Sequence, residues 1–340
     1  QEEFTIELRP TSKCNYNCYY CTDLHINSNP ILNLPIENLL QLIDTAHSKV
    51  NMKIHVFICG GEPTLYNEIQ TLLKTLMLHM VNIGRITVQT NMSRSVKWFE
   101  DLCSKLPLHL NNLQINGSYH NTQDGVKITD YIKKCMFLKG NNILGMVSFG
   151  YNKHLNVIKD YRRAVKLLGS EHCEITPLIN ASVDQHPGKG NGSGSDIDHI
   201  YKVENMSDLE TTGHFFSKTL PYETISGEHK KTSRADMWLT RNNNFISYKC
   251  AVSKYKLYVD WDGNCYKCFN EQFSPVKPAF HITQINPMRE YFNDMKCMLC
   301  PFTTCFFDLE YEKIKSNEVV EEIKIDRKYN TNEYRQKRID

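Results

Sequence analysis

The first 180 residues alternate between short apolar segments and longer amphipathic ones, and this alternation restricts the possible folds more than any other feature. In 34–50, apolar residues stand at positions 36, 39, 40 and 43, which is the spacing of one helix face. The strand-like segments are 4–9, 54–59, 85–91, 113–116, 143–149 and 173–177, and the helix-like segments are 34–50, 65–80, 95–105, 127–138 and 154–169. Such alternation predicts a parallel sheet with right-handed crossovers. Because a complete TIM-type barrel has eight units, we expect an α/β fold with a partial (β/α)6 barrel.

Several predicted strands alternate polar with apolar residues, although strands of a parallel sheet are usually apolar on both faces. In the first strand, Thr5, Glu7 and Arg9 alternate with apolar residues, and three later strands repeat the pattern. If the helices cover the apolar face, the polar face lines the inside of the curved sheet. Unpaired polar groups are costly to bury, so we expect a ligand-filled lumen rather than a dry core. The alternative is an antiparallel sheet with one wet face, and the intervening helices count against it.

Charge and cysteine content narrow the class of protein. The chain has 340 residues, which suggests about two domains, and a formal net charge of +2. That charge favours neither a nucleic acid nor an anionic membrane as partner, and no apolar run is long enough to span a membrane. The 13 cysteines are an odd number in a chain too large to need disulfides. We therefore expect a cytoplasmic protein whose clustered thiols bind metal.

Three cysteines, Cys14, Cys18 and Cys21, follow the first predicted strand and are called the N-terminal cysteines below. Structural zinc needs four protein ligands, and the nearest further candidate is His25. A [4Fe–4S] cluster held by three thiolates keeps one iron open for another ligand, which suits a catalytic cluster. The spacing favours the cluster over the two alternatives, zinc and unrelated buried thiols.

The segment "CNYNCYYC" resembles the C-x3-C-x2-C motif of radical S-adenosylmethionine (SAM) enzymes, and "CGGEPTL" (59–65) is similar to their GGE motif. The resemblance covers about residues 4–180. It implies a SAM-binding [4Fe–4S] cluster on the N-terminal cysteines. It also implies SAM or substrate contacts from Gly60, Gly61, Glu62, Pro63, Gln89, Asn91, Asn116, Ser118 and, more weakly, Ser148. Physically, the two glycines allow close backbone approach to a ligand, and the glutamate can accept hydrogen bonds from an ammonium group.

Four other cysteines, Cys59, Cys103, Cys135 and Cys173, fall in or near predicted strands and helices, where buried thiols act as small apolar residues. By alternation, Cys59 faces the lumen, which makes it a candidate hydrogen-atom donor.

By the same alternation, His172 and Glu174 face the lumen. They are candidates for acid–base or substrate contacts, and the alternative is that they are hydrogen-bonded structural groups.

The C-terminal part changes character, because residues 250–305 hold six cysteines and "LYVDWDGNCYKC" predicts a hairpin that turns at "DG". Its pattern resembles the SPASM or shorter twitch domains of radical SAM enzymes, which carry auxiliary clusters. Six cysteines cannot supply eight ligands, so the resemblance implies one auxiliary [4Fe–4S] cluster. The preferred ligands, called the C-terminal cysteines below, are Cys250, Cys268, Cys297 and Cys300, with Cys265 and Cys305 as substitutes. The alternative is a zinc ribbon on Cys265, Cys268, Cys297 and Cys300.

The expected domains are a barrel (1–205), a connecting segment (206–249), an auxiliary-cluster domain (250–310) and a charged tail (311–340). The resemblance implies an enzyme that cleaves SAM reductively to a 5′-deoxyadenosyl radical, which abstracts a substrate hydrogen. The expected substrate is a peptide or protein that is cross-linked, epimerised or oxidised, and the alternative is a small molecule such as a sugar, nucleoside or amino acid. The implied reductant is a flavodoxin or ferredoxin. From another class, a non-catalytic zinc or redox protein remains the competing hypothesis.

Overall fold

The computed structural model describes residues 3–16, 18, 21, 30–79, 83–121, 123, 125–151, 157–177, 219–223, 229–233, 248–273, 276–300 and 313–315. The strands are β1 (Glu3–Leu8), β2 (Lys53–Ile58), β3 (Ile83–Thr90), β4 (Leu113–Tyr119), β5 (Leu144–Tyr151), β6 (Cys173–Pro177), β7 (Thr219–Glu223), β8 (His229–Ser233), β9 (Tyr248–Cys250), β10 (Lys256–Val259), β11 (Asn264–Tyr266), β12 (Phe280–His281), β13 (Met298–Leu299) and β14 (Lys313–Lys315). The helices are α1 (Ile36–Lys49), α2 (Ile69–His79), α3 (Val96–Lys105), α4 (Ile128–Gly140), α5 (Ile158–Leu168), α6 (Val252–Tyr255) and α7 (Ile285–Asn293). Short 3-10 turns lie at Pro63–Leu65, Leu108–Leu110, Ser170–His172 and Phe269–Phe273.

The first six strands form one parallel sheet in sequence order, with a helix in each crossover. The complete sheet has the order β12-β11-β10-β1-β2-β3-β4-β5-β6 and stays open. The prediction of a partial α/β barrel is therefore confirmed, and the antiparallel alternative is wrong for these six strands. Because the strands are parallel, the loops that follow them meet at one edge of the sheet.

Among the element boundaries that differ from the sequence prediction, two lie close to the predicted site residues. The helix expected at 65–80 begins at Ile69, because Pro63–Leu65 first forms a 3-10 turn whose Thr64 N–H donates to the Glu62 side chain. The strand expected at 113–116 continues to Tyr119. Both differences lie at the edge of the sheet where the functional loops begin.

The apolar strand faces form the core together with the helices. Phe4, Ile6 and Leu8 of β1 are completely buried, whereas their neighbours face the other side of the sheet. Helix α7 packs on this face, with the Phe4 and Phe292 rings edge to face at a centroid distance of 5.8 Å. Burial of each such side chain contributes about 1.5–3 kcal/mol. The apolar faces therefore fix the helix layer and turn the polar faces inward.

The predicted C-terminal hairpin is confirmed, since β10 and β11 are antiparallel with Val259 opposite Cys265. Strand β10 also pairs with β1 in parallel, with Leu8 opposite Val259. The hairpin thus extends the main sheet, which joins the predicted barrel to the predicted auxiliary domain. The domain limits themselves stay a prediction.

A second sheet has the order β13-β9-β14-β7-β8. It brings the segment before α6 beside the segment after α7, with Cys250 opposite Met298. Among the helices of the described residues, none has the length and apolarity that crossing a membrane requires.

Candidate functional site

Two loops run side by side at the carboxyl edge of the main sheet. The cysteine loop (10–21) follows β1, and the GGE loop (59–65) follows β2. The Cys59 N–H donates to the Leu8 carbonyl at 2.8 Å, and the Glu62 N–H donates to the Lys13 carbonyl at 2.7 Å. A further bond joins the Gly61 N–H to the Thr11 carbonyl at 3.2 Å. These bonds place the first cysteine of the motif directly beside the GGE loop.

The two glycines make this close approach possible. A Cβ atom at Gly61 would clash with the backbone carbonyl of Lys13. Gly60 has a φ of +106°, which side-chain-bearing residues rarely adopt. The sequence interpretation assigned the glycines to ligand approach, and the structure shows that they also allow the two loops to pack.

The Glu62 carboxylate is buried and accepts four hydrogen bonds. Its Oε1 accepts from the Thr64 N–H at 3.1 Å, the Thr64 hydroxyl at 2.6 Å and the Thr90 hydroxyl at 2.6 Å. Its Oε2 accepts from the Asn91 N–H at 2.7 Å. Burial raises the pKa of Glu62, and these hydrogen bonds act in the opposite direction. A carboxylate has about four acceptor positions, so the protein itself uses most of the capacity of Glu62.

A chain of amides joins the end of β3 to the cysteine loop. Asn91 Nδ2 donates to Asn15 Oδ1 at 3.0 Å, and the Ser93 hydroxyl donates to the same oxygen at 3.3 Å. Asn15 lies between the first two motif cysteines, and the sequence interpretation missed it. Neither its residue type nor its spacing carries a signal, because its partner is 76 positions away.

The N-terminal cysteines suit a cluster that must be accessible to a second ligand. All three are partly exposed. The Cys21 N–H donates to the Cys18 carbonyl at 3.1 Å, and the Tyr16 N–H donates to the Cys14 sulfur at 3.4 Å, which is the kind of contact that tunes cluster thiolates. Within the described residues, no three His, Cys, Asp or Glu side chains converge as ligands of a single metal ion would. In a [4Fe–4S] cluster each thiolate binds a different iron, so the three sulfur atoms do not need to converge on one point. The N-terminal cysteines therefore fit such a cluster.

The sequence matches the model of the radical SAM superfamily over residues 8–117, which contain both loops. The chain carries a radical SAM domain. No curated protein matches the sequence significantly. The superfamily consists of enzymes, and its fold implies a [4Fe–4S] cluster and SAM.

Solved structures of radical SAM enzymes share the fold. Native anSMEcpe with bound AdoMet has a TM-score of 0.56 and 15% identity, over 98% of this chain and 97% of that one. Native anSMEcpe with AdoMet and the Cp18Cys peptide has a TM-score of 0.51 and 13% identity, over 99% and 98%. SuiB of Streptococcus suis bound to S-adenosylmethionine has a TM-score of 0.54 and 13% identity, over 86% of this chain. The chain spans 66% of the length of SuiB.

Polar side chains of neighbouring strands in the main sheet are bonded to one another on the face that the sequence alternation assigned to the lumen. That a ligand fills the lumen stays a prediction. Gln89 Nε2 donates to the Ser118 hydroxyl at 2.6 Å, and the Ser148 hydroxyl donates to Glu174 at 2.5 Å. Asn116 Oδ1 accepts from the Met146 N–H at 2.9 Å. The five polar side chains, those of Gln89, Asn116, Ser118, Ser148 and Glu174, are partly exposed. They can therefore meet a ligand on the inside of the sheet. Their roles as SAM or substrate contacts stay predictions.

The structure places the predicted catalytic residue His172 elsewhere. It belongs to the 3-10 turn Ser170–His172 that precedes β6, not to the strand. Its Nδ1 lies 3.0 Å from the carbonyl of Gly145, at the start of β5. His172 therefore lies at the edge opposite the cysteine loop, outside the strand, and its role in acid–base or substrate contacts stays a prediction. Glu174 lies inside β6 and keeps the predicted orientation.

Cys59 faces a buried charged cluster that the sequence interpretation did not assemble. Its thiol donates to Glu7 Oε1 at 3.4 Å. Lys256 Nζ lies 3.1 Å from Glu7 Oε2, and Arg9 lies 3.4 Å from Oε1. Burial raises the pKa of Glu7, but the charges of Lys256 and Arg9 outweigh it and lower the value below its ordinary range. In the sequence, Lys256, Tyr258 and Asp260 alternate with apolar residues, and this pattern could have indicated that Lys256 joins the charged cluster.

Three of the C-terminal cysteines lie in or beside the second sheet. Cys250 lies opposite Met298, and the Cys300 N–H donates to the Tyr248 carbonyl at 2.8 Å. By strand alternation, Cys250 and Cys300 face the same side as diagonal neighbours, and Cys297 immediately precedes the strand. Cys268 is buried on the turn after β11.

The two substitute ligands have different outcomes. Cys265 is completely buried in the apolar core, and burial raises its pKa well above the ordinary value. Its side chain packs in the main apolar core, and this position argues against Cys265 both in the auxiliary cluster and in the zinc ribbon. Cys305 lies outside the described residues.

The remaining cysteines behave as apolar residues. Cys135 and Cys173 are buried, as predicted, and burial raises the pKa of each thiol to about 12. Cys103 is partly exposed, and partial burial raises its pKa to about 11.

Proposed function

We propose that the protein cleaves SAM reductively and uses the resulting radical to modify a peptide or protein. The observation that carries the proposal is the pairing of the cysteine loop with the GGE loop at the carboxyl edge of the sheet, through the Glu62 N–H and the Lys13 carbonyl. This pairing brings three accessible thiols beside a glycine-rich backbone at the position where such barrels place their sites.

In this reaction, different groups of residues would have different roles. The N-terminal cysteines would hold the SAM-binding [4Fe–4S] cluster, and the GGE loop would present its backbone to the bound SAM. Glu62 and Asn91 fix the relative position of the two loops. When bound and reduced, the cluster supplies an electron to SAM, which yields the 5′-deoxyadenosyl radical.

The C-terminal cysteines would hold one auxiliary [4Fe–4S] cluster. Support comes from the pairing of β9 with β13, which places Cys250 and Cys300 on the same side of the second sheet with Cys297 next to β13, and from the burial of Cys268. The burial of Cys250, Cys268 and Cys300 favours a structural or electron-accepting cluster over a SAM-binding one. The electron donor would be a flavodoxin or ferredoxin of a reducing cytoplasm.

The fold and the polar face of the main sheet support a peptide substrate. One structure that shares the fold, native anSMEcpe, holds both AdoMet and a peptide. The polar side chains along the inside of the sheet offer hydrogen-bonding groups of the kind that a peptide backbone needs. Gln89, Ser118 and Ser148 are partly exposed on that face.

The decisive experiment measures 5′-deoxyadenosine after anaerobic reconstitution with iron and sulfide, reduction by dithionite and addition of SAM. We expect product from the native chain and from the control Cys103→Ala, and none from Cys14→Ala. Stoichiometric zinc without SAM cleavage would contradict the proposal and support a non-catalytic metal protein.

The substrate class has its own test. If a short peptide is encoded beside this gene, it should accelerate 5′-deoxyadenosine formation and change in mass. An unchanged mass, together with acceleration by a sugar, nucleoside or amino acid, would move the assignment to a small molecule.

A further inference from the structure

Arg9 occupies the junction between the cysteine loop, the GGE loop and the C-terminal hairpin. It lies at the end of β1, five positions before Cys14, and its side chain is almost completely buried. Its N–H donates to the Val259 carbonyl at 3.1 Å, which continues the pairing of β1 with β10. A buried guanidinium needs partners for its five N–H groups, so its surroundings indicate what it holds in place.

Those partners come mainly from the C-terminal segment. Arg9 donates to Gln272 Oε1 at 2.7 Å and lies 3.9 Å from Asp260. Its guanidinium also stands 5.4 Å from the ring centre of Trp261 and 5.5 Å from that of Phe269. Phe269 directly follows Cys268. Contacts with two rings and two polar side chains attach the turn that carries Cys268 to the end of β1.

The GGE loop packs on the same arginine. A Cβ atom at Gly60 would lie 3.0 Å from Arg9 Cβ and 3.0 Å from Trp261 Nε1. The glycine therefore lets the loop that follows β2 close over Arg9 and Trp261. One side chain thus contacts three segments that carry or flank the two proposed cluster sites.

We propose that Arg9 is a positioning residue that fixes the Cys268 turn relative to the cysteine loop. The part of the inference that concerns clusters rests on the proposed function, whereas the positioning of the turn does not. Lysine cannot replace Arg9 fully, because an ammonium lacks the planar fork that stacks on rings and reaches Gln272 and Asp260 together.

The first test needs no cluster. The full-length chain, purified anaerobically and without metal, is alkylated with N-ethylmaleimide, and the labelling of each cysteine is followed by mass spectrometry. We expect Cys268 to react about tenfold faster in Arg9→Met than in the native chain, and at an intermediate rate in Arg9→Lys. Buried Cys135 is the internal reference for global unfolding. Arg85→Met is the matched control, because Arg85 also lies on the polar face but at the opposite edge, paired with Glu3 at 3.0 Å.

The inference is wrong if Cys268 stays as protected in both Arg9 variants as in the native chain. It is also wrong if, in Arg9→Lys, Cys268 and Cys135 gain reactivity equally, since that result would show a general loss of stability.

The second test uses the reconstituted protein and electron paramagnetic resonance. In Arg9→Lys we expect the cluster signal that responds to SAM to persist, and the other signal to weaken or shift in g-values. Two unchanged signals would overturn the link between Arg9 and the auxiliary site. A native chain with a single cluster would also overturn that link while leaving SAM cleavage intact, and a native chain with none would overturn the proposed function.

Discussion

The N-terminal and C-terminal cysteines carry the same chemical group in different surroundings. The first set is partly exposed on a loop that hydrogen bonds to the GGE loop, whereas Cys250, Cys268 and Cys300 are buried. An exposed three-thiolate site leaves room for a further ligand, and a buried site excludes one. The difference indicates that exposure and the number of thiolates, rather than the presence of thiolates, separate a reactive cluster site from a supporting one.

The largest expected effect comes from replacing one cysteine of each set by alanine and comparing the two variants. Cys18→Ala should lower the rate of 5′-deoxyadenosine formation at least about 100-fold, because a cluster with two thiolates is not retained. Cys250→Ala should keep measurable SAM cleavage. Equal losses in the two variants would break the comparison. The measurement is chromatographic quantification of 5′-deoxyadenosine under dithionite.

Iron content sharpens the comparison within the C-terminal part. Two [4Fe–4S] clusters correspond to roughly eight irons per chain, and Cys250→Ala should reduce this to roughly four. Cys265→Ala should keep roughly eight, because Cys265 lies in the apolar core. Its cost should be about 1 kcal/mol in the free energy of unfolding, from the small cavity. Loss of four irons in Cys265→Ala would show that Cys265 is a ligand after all.

The loop pairing of the N-terminal site depends on Glu62, whose carboxylate bonds the GGE loop to the end of β3. Glu62→Gln places an amide nitrogen among N–H and hydroxyl donors, so we expect a loss of about 2–3 kcal/mol in the free energy of unfolding, measured by urea titration. Glu68→Gln is the matched control, because Glu68 lies just after the GGE loop and is exposed. Its carboxylate accepts a hydrogen bond from the Tyr66 hydroxyl at 3.1 Å. A change of less than about 0.5 kcal/mol in Glu62→Gln would mean that the four hydrogen bonds do not hold the loops.

The remaining expected effect concerns pH and the charged cluster beside Cys59. Because the folded pKa of Glu7 lies below the ordinary value of 4.5, ionised Glu7 stabilises the fold above that pH. This contribution is lost as the pH falls through the folded value. Glu7→Gln should therefore lower the free energy of unfolding by about 2 kcal/mol at pH 7. This difference from the native chain should stay constant down to about pH 4.5 and become smaller below it.

Urea titrations of the full-length, metal-free chains at several pH values provide the measurement for Glu7. A gap that widens on acidification would show that the pKa of Glu7 is raised rather than lowered in the folded protein.

Local sequence patterns were sufficient for the elements that depend on local physics. The alternation of Phe4, Ile6 and Leu8 with polar residues correctly predicted which face of β1 packs in the apolar core. The turn at "DG" correctly predicted the hairpin of β10 and β11. In both cases the signal and the structure involve neighbouring residues.

Other features depend on distant partners and leave no local signal. The parallel pairing of β1 with β10 joins residues about 250 positions apart, so the sequence could not show that the hairpin extends the barrel sheet. Two of the four hydrogen bonds of Glu62 likewise require the folded end of β3. His172 was misplaced because alternation was extended one residue past the true start of β6.

The most direct test of the central claim compares the effect of SAM on each cysteine set separately. Electron paramagnetic resonance spectra are recorded for reduced Cys250→Ala and for the triple variant Cys14→Ala, Cys18→Ala and Cys21→Ala, each with and without SAM. The account predicts that SAM changes the spectrum of Cys250→Ala and leaves that of the triple variant unchanged. No change in Cys250→Ala, or a change in the triple variant, would contradict the assignment of the open iron to the N-terminal cysteines.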